Sequence, residues 1–134
     1  MDKPIMRYFI PCESIAYSDD NKFSANGIYE FFSAKSYPAK IQFTNVLGIS
    51  NLEVGREYII KIVVSQRTGG DESTRTVIGG WLTDPFSLDN PDEIMNLRLE
   101  QAPVTILKEG PVTFEIFLDG ELFTTQIIYA RKEV

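Results

Sequence analysis

The sequence predicts an all-β chain, read as a single antiparallel β-sandwich of about seven to nine strands with little or no helix. Three observations carry that reading. Apolar residues mostly recur at alternate positions, and few windows place them at the i, i+3, i+4, i+7 spacing of an amphipathic helix. β-Branched and aromatic residues, which suit a pleated half-buried surface, are abundant. Turn signals built on Gly, Pro, Asn and Asp return about every dozen residues, the rhythm of a sandwich or barrel. The 134 residues suit one domain spanning 1–134, with no internal repeat, linker or composition shift. A chain of this size buries roughly two-thirds of its unfolded surface, enough for an independent core.

Taken in order, Tyr8 to Tyr17 reads as a strand that Pro11 confines to an edge or bulge. Ser18-Asp19-Asp20-Asn21 is a polar turn. Lys22 to Ala25 and Ile28 to Phe32 are strand-like, and the Asn26-Gly27 between them is either a turn or a bulge inside one longer strand. Ala34 to Ala39 is an irregular crossing in which Pro38 cannot donate to a ladder. Lys40 to Val46 alternates, with Ile41, Phe43 and Asn45 on one face, and Gly48 to Gly55 reads as loop. Tyr58 to Val64 is the clearest isolated strand, with Tyr58, Ile60, Ile62 and Val64 inward and Lys61 outward. Thr68 to Ser73 is a loop tip joining it to Thr74 to Leu82 as a long hairpin. Asp84 to Asp92 is loop; Asp92-Glu93 permits one helical turn, but Met95, Leu97 and Leu99 alternate as in a strand. Pro103 and Pro111 bracket a short apolar run, Val104 to Leu107.

The last hairpin is the most explicit. Asp119-Gly120 favours a two-residue type I′ turn, because both turn positions need positive φ. Pairing Leu118 with Glu121 then sets Ile116 opposite Phe123, Phe114 opposite Thr125 and Val112 opposite Ile127. That register groups Val112, Phe114, Ile116, Phe123, Ile127 and Tyr129 on one apolar face. Phe117, Leu122 and Ile128 fall on the other, among Thr113, Glu115, Thr124 and Gln126. Apolar side chains breaking a polar row point to cover by a loop or a partner.

The chain contains no histidine. This removes Ser-His-Asp and Cys-His nucleophile activation, imidazole proton shuttling and every histidine-containing zinc site. Cys12 is the only cysteine, so no intrachain disulfide and no cysteine-rich metal site exist, and no disulfide-linked partner is expected. Beside Glu13 its thiol is poorly placed to ionise, and a small buried core residue is the favoured reading. A net charge of −6, with basic residues scattered in runs no longer than two, argues against a phosphate-tracking nucleic-acid binder. Ile5 to Ile10 is broken by Arg7 and ends at Pro11, too short for a signal or membrane-spanning segment, so a cytoplasmic protein is expected.

Two acidic loops, Asp19-Asp20-Asn21 and Asp84, Asp89, Asn90, Asp92 and Glu93, offer oxygen ligands of the kind calcium takes, but lack the Asp-x-Asp-x-Asp-Gly spacing. Solvated turn residues are favoured there. Thr68-Gly69-Gly70-Asp71 lacks the Gly-Lys-Ser/Thr that completes a phosphate loop. Trp81, after Gly79-Gly80, is either an exposed platform for a sugar or a partner, or a core plug for which the glycines make room; the second is favoured.

Between Tyr8 and Val64 the chain resembles a family of small bacterial and phage-associated β-sandwich proteins of uncharacterised function. The likeness rests on Cys12-Glu13-Ser14, on Asn26-Gly27-Ile28-Tyr29 after a polar turn, on Pro38 in the crossing, on Ile41 to Phe43, and on Gly55 before the strand from Tyr58. It implies a C2-like or immunoglobulin-like sandwich and brings no catalytic residues. The sequence expectation is therefore a non-catalytic cytoplasmic module that binds another protein or a second copy of itself, with no cofactor. Trp81, Phe117, Leu122 and Ile128 are its candidate interaction surface. A calcium/lipid- or carbohydrate-binding module is the alternative, and a carboxylate or metal-dependent enzyme the third.

Overall fold

The alternating pattern resolves into eleven strands and, among the described residues, no helix. The computed structural model describes residues 3–18, 22–67, 74–90, 94–100 and 103–133. In chain order the strands are β1 (Ile5–Tyr17), β2 (Phe23–Ile28), β3 (Phe31–Ala34), β4 (Ala39–Ile41), β5 (Thr44–Ser50) and β6 (Ile60–Arg67). They continue with β7 (Arg75–Leu82), β8 (Met95–Glu100), β9 (Val104–Ile106), β10 (Gly110–Leu118) and β11 (Glu121–Lys132). A four-stranded sheet runs β2-β1-β5-β8, a five-stranded sheet β3-β11-β10-β6-β7, and β4 pairs with β9. The expectation of purely antiparallel pairing fails among the described residues where β3 runs parallel to β11 and at the isolated parallel bridge between Val54 and Leu88.

Eleven strands exceed the expected count because two runs that look continuous in sequence are split between sheets. Ile28 ends β2 and Phe31 opens β3; Ile41 ends β4 and Thr44 opens β5. The described residues form two compact units, each drawn from three chain segments. Unit 1 comprises Met1–Tyr29, Phe43–Ile59 and Thr83–Gln101, and unit 2 comprises Glu30–Gln42, Ile60–Leu82 and Ala102–Val134.

In unit 1, β1 is flanked on both sides, so Pro11 does not sit at an edge. Its carbonyl accepts the Tyr29 N–H at 2.9 Å, on the β2 side. The proline nitrogen points the same way, past Cys12↔Ile28, the last pair with β2, and the ladder to β5 loses no donor. Asn26-Gly27 is no hairpin: Ser14↔Asn26 and Cys12↔Ile28 keep one register across it, and Gly27 takes φ 68° within β2. Gly48, expected in a loop, lies inside β5 opposite Tyr8, and the loop begins only at Asn51 (φ 64°). Buried Phe9, Leu47 and Ile49 occupy one side of the sheet, with Leu97 and Met95 of β8 beside the last two.

In unit 2 the turn forms as its sequence demands, with Asp119 at φ 51° and Gly120 at φ 85°, and Leu118 pairs with Glu121. The register then slips between Ile116 and Phe117: Phe117 faces Leu122, but Ile116 faces Thr124 and Val112 faces Ile128. Phe123 is the extra residue of a β-bulge, and every β11 side chain beyond it changes face. Ile128 and Ala130 are therefore buried with Val112, Phe114 and Ile116, while Ile127 and Tyr129, expected inside, are exposed. From β6, Ile60, Ile62 and Val64 join the buried face as expected, and Lys61 points out.

Candidate functional site

The two faces of the five-stranded sheet differ sharply. On the buried face, Phe32 (β3), Phe114 (β10), Ile62 (β6) and Trp81 (β7) belong to one core, with the Phe32 and Phe114 rings 6.3 Å between centroids. Trp81 is only 5% exposed and pairs with Ile62. It is the core plug, and the platform reading is corrected. Gly79 makes room less for the indole than for Val104, whose Cγ2 would lie 3.0 Å from an added Cβ.

On the exposed face the cross-strand pairs line up as rows. One row runs Phe31, Tyr129, Pro111. The next runs Ile127, Thr113, Ser65, Val77, and the third Thr125, Glu115, Val63, Gly80. The last runs Leu122, Phe117, Lys61, Leu82. Six apolar side chains in these rows are exposed: Phe31, Val77, Leu82, Leu122, Ile127 and Tyr129, with Leu82 at 70% and Val77 at 59%. Phe117 and Val63 are half-buried beneath them. Of the four residues singled out from sequence, Phe117 and Leu122 share one row of this face, whereas Trp81 and Ile128 lie on the buried side and cannot serve as surface. Alternation on β11 hid Ile127 and Tyr129, which come outward only through the bulge at Phe123.

Charge on this face is also distinctive. Among the described residues of these strands, Lys61, Arg67, Arg75 and Arg131 stand at outward positions against one carboxylate, Glu115. Arg75 donates to Glu115 in an ion pair, and the Arg131 guanidinium lies 4.6 Å from the Phe31 ring centre. The whole net charge of −6 resides elsewhere. The segments of unit 1 hold five basic and eleven acidic residues, those of unit 2 eight of each.

Within the face an open groove of about 670 Å³ is bordered by Lys61, Val63, Arg75, Val77, Gly80 and Leu82. Gly80 leaves its floor bare, since the only atom near an added Cβ is the Ile62 carbonyl oxygen at 2.9 Å. Behind this face, buried Gln66 ties β6 to the segment after β9. Its Nε2 donates to the Lys108 carbonyl at 2.9 Å, and its Oε1 accepts the Leu107 N–H at 2.8 Å. Gln66 continues the inward phase of Ile60, Ile62 and Val64, but its polar side chain gives no sequence signal of what it bonds.

No protein-family model matches the chain, and no curated protein matches it. Cys12 is fully buried; its thiol donates weakly to the carbonyls of Ser14 (3.5 Å) and Thr44 (3.6 Å), and burial pushes its pKa up against the smaller opposing effect of the Ser14 hydrogen bond. Asp84, Asp89 and Asn90 are exposed, while Asp19, Asp20, Asn21, Asp92, Glu93 and the 68–73 loop tip fall outside the described residues. Among the described residues no group of three His, Cys, Asp or Glu side chains is placed to hold a metal ion, and no helix is long and apolar enough to cross a membrane.

Proposed function

We propose that the chain is a non-catalytic protein-interaction module that works through the exposed face of its five-stranded sheet. The observation that carries this reading is the set of rows ending in exposed Phe31, Tyr129, Ile127, Leu122, Val77 and Leu82. Single exposed apolar residues are common, but six on one sheet face, grouped along β3 and β11 on one side and β7 on the other, exceed a scattered surface and mark an interface. Five strands about 4.8 Å apart, from 4 residues in β3 to 12 in β11, present a face on the order of 650 Å². That is close to the roughly 800 Å² that each partner contributes to a standard protein–protein interface. Aromatic and arginine side chains, which dominate binding energy at interfaces, are both present in Tyr129, Phe31 and Arg131. A β-sandwich remains the architecture proposed for this module, because each larger sheet contributes a row of buried apolar side chains.

The test is affinity purification with the wild-type chain and with a Leu122→Asp/Tyr129→Asp variant, alongside sedimentation velocity on both. Proteins recovered by the wild type and lost by the variant support the reading, as does self-association that the variant abolishes. Recovery and oligomeric state that are both indifferent to the double substitution contradict it.

A further inference from the structure

The exposed face has one position in its central row that carries no side chain. Thr125, Glu115 and Val63 lead across the sheet to Gly80, while the rows on either side end in Val77 and Leu82. Two exposed apolar side chains thus stand as rails along a floor of bare backbone. Val63, half-buried, forms the inner wall. A recess of this kind receives an apolar side chain: both rails lose exposed area, and nothing has to move out of the way.

The ends of the recess are cationic. Lys61 stands beside Leu82 in its row, and Arg75 stands beyond Val77 on β7. Among the described residues no acidic side chain lines the groove and Lys61 has no ion-pair partner. Arg75 gives one nitrogen to Glu115 yet stays 44% exposed, leaving further donors of its guanidinium fork to face outward. In a chain of net charge −6 this is a local reversal of sign, and it steers negatively charged groups to the two ends of an apolar slot.

We propose that the groove over Gly80 binds an extended acidic segment of another protein, with one large apolar side chain seated between Val77 and Leu82 and flanking carboxylates at Lys61 and Arg75. The inference rests on the interaction reading above and adds the chemistry of the partner. Nucleic acid, the other polyanion, fits less well. It would leave Val77 and Leu82 without an apolar counterpart, and it would meet a chain whose overall charge repels it.

The test is selection from a random-peptide display library on the immobilised full chain. Enriched peptides are then measured by fluorescence anisotropy against the wild type, Leu82→Asp, Lys61→Glu and, as a control on an exposed residue of β2, Ile28→Asp. The expected result is enrichment of sequences pairing Leu or Phe with Asp or Glu, weakened about tenfold or more by Leu82→Asp and Lys61→Glu, unchanged by Ile28→Asp, and weakened further by salt. Enriched peptides that are neutral or basic but lose binding in Leu82→Asp overturn the acidic partner and leave the interaction face standing. So does self-association of the chain abolished by Leu82→Asp. Tighter binding of a labelled single-stranded oligonucleotide than of any peptide overturns the inference in favour of a polyphosphate ligand. No enrichment, or peptides indifferent to every variant of the exposed face, overturns both the groove and the interaction reading.

Discussion

Two glycines, each in the middle of a strand, show how the same residue serves opposite ends in the two units. Gly48 in β5 lies under the Tyr8 ring, where an added Cβ would come within 2.5 Å of Cε1. The Tyr8 hydroxyl donates across Gly48 to Asn96 Oδ1 on β8, so the chain's own aromatic closes that space. Gly80 in β7 also lacks a side chain, but no side chain of the described residues lies within 4 Å of where its Cβ would be. One vacancy is filled from the neighbouring strand and adds to packing; the other stays open between exposed rails. A glycine inside a strand marks close approach; at Gly48 the cross-strand partner Tyr8 fills the space, whereas at Gly80 the partner Val63 leaves it open and only the Ile62 carbonyl oxygen comes near.

Adjacent residues on β7 give the strongest test of that contrast. Trp81→Ala should remove a buried indole and cost about 4 kcal/mol, whereas Leu82→Asp should stay within about 0.5 kcal/mol of wild type. Urea denaturation of both variants checks this, and equal losses would show that β7 does not divide into a core side and a free side. Gly48→Val comes next, at about 3 kcal/mol or roughly 10 °C in Tm, because the Tyr8 ring must be displaced. Adding Tyr8→Ala should return part of that loss, and a double-mutant cycle measures how much. Tyr8→Phe, which deletes only the hydrogen bond to Asn96, should cost about 1 kcal/mol by the same assay.

The smallest effect is alkaline. Burial raises the pKa of Cys12, Tyr8 and Tyr29 in unit 1 and of Tyr37 in unit 2, with nearby Glu13 adding to the rise at Tyr29. Each of these acids is more readily ionised in the unfolded chain. Their contribution is therefore complete below the unfolded pKa and is lost as pH climbs through the folded value. Denaturation midpoints should be flat through neutral pH and fall from about pH 8.5 upward, first from the thiol and then from the phenols. Tyrosine absorbance of Tyr8 and Tyr29 in unit 1 and of Tyr37 in unit 2 should therefore titrate above the ordinary phenol range.

What the sequence makes legible is local. The Asp119-Gly120 turn, the inward row Tyr58, Ile60, Ile62 and Val64, and the β6–β7 hairpin all follow from residue chemistry within a few positions. What escapes it depends on partners far along the chain. Phe123 fits an alternating apolar row, and only the pairing with β10 reveals it as a bulge that turns Ile128 in and Tyr129 out. The sheet switches after Ile28 and Ile41 carry no turn signal strong enough to break a strand-like run. Pro11 is placed inside a sheet because β2 happens to end beside it, a fact of length and register. For the interaction face, Phe117 and Leu122 were visible as apolar breaks in a polar row; Val77, Leu82 and the bare Gly80 between their rows required the β6–β7 register.

The most direct measurement is a ¹H–¹⁵N spectral titration of the chain with an acidic peptide carrying a single leucine. Saturable shifts are expected at the amides of Lys61, Val63, Val77, Gly80 and Leu82, with Tyr8, Gly48 and Asn96 unmoved. Shifts centred on Gly48 and its neighbours, or no saturable shift around Gly80, would contradict binding in the groove.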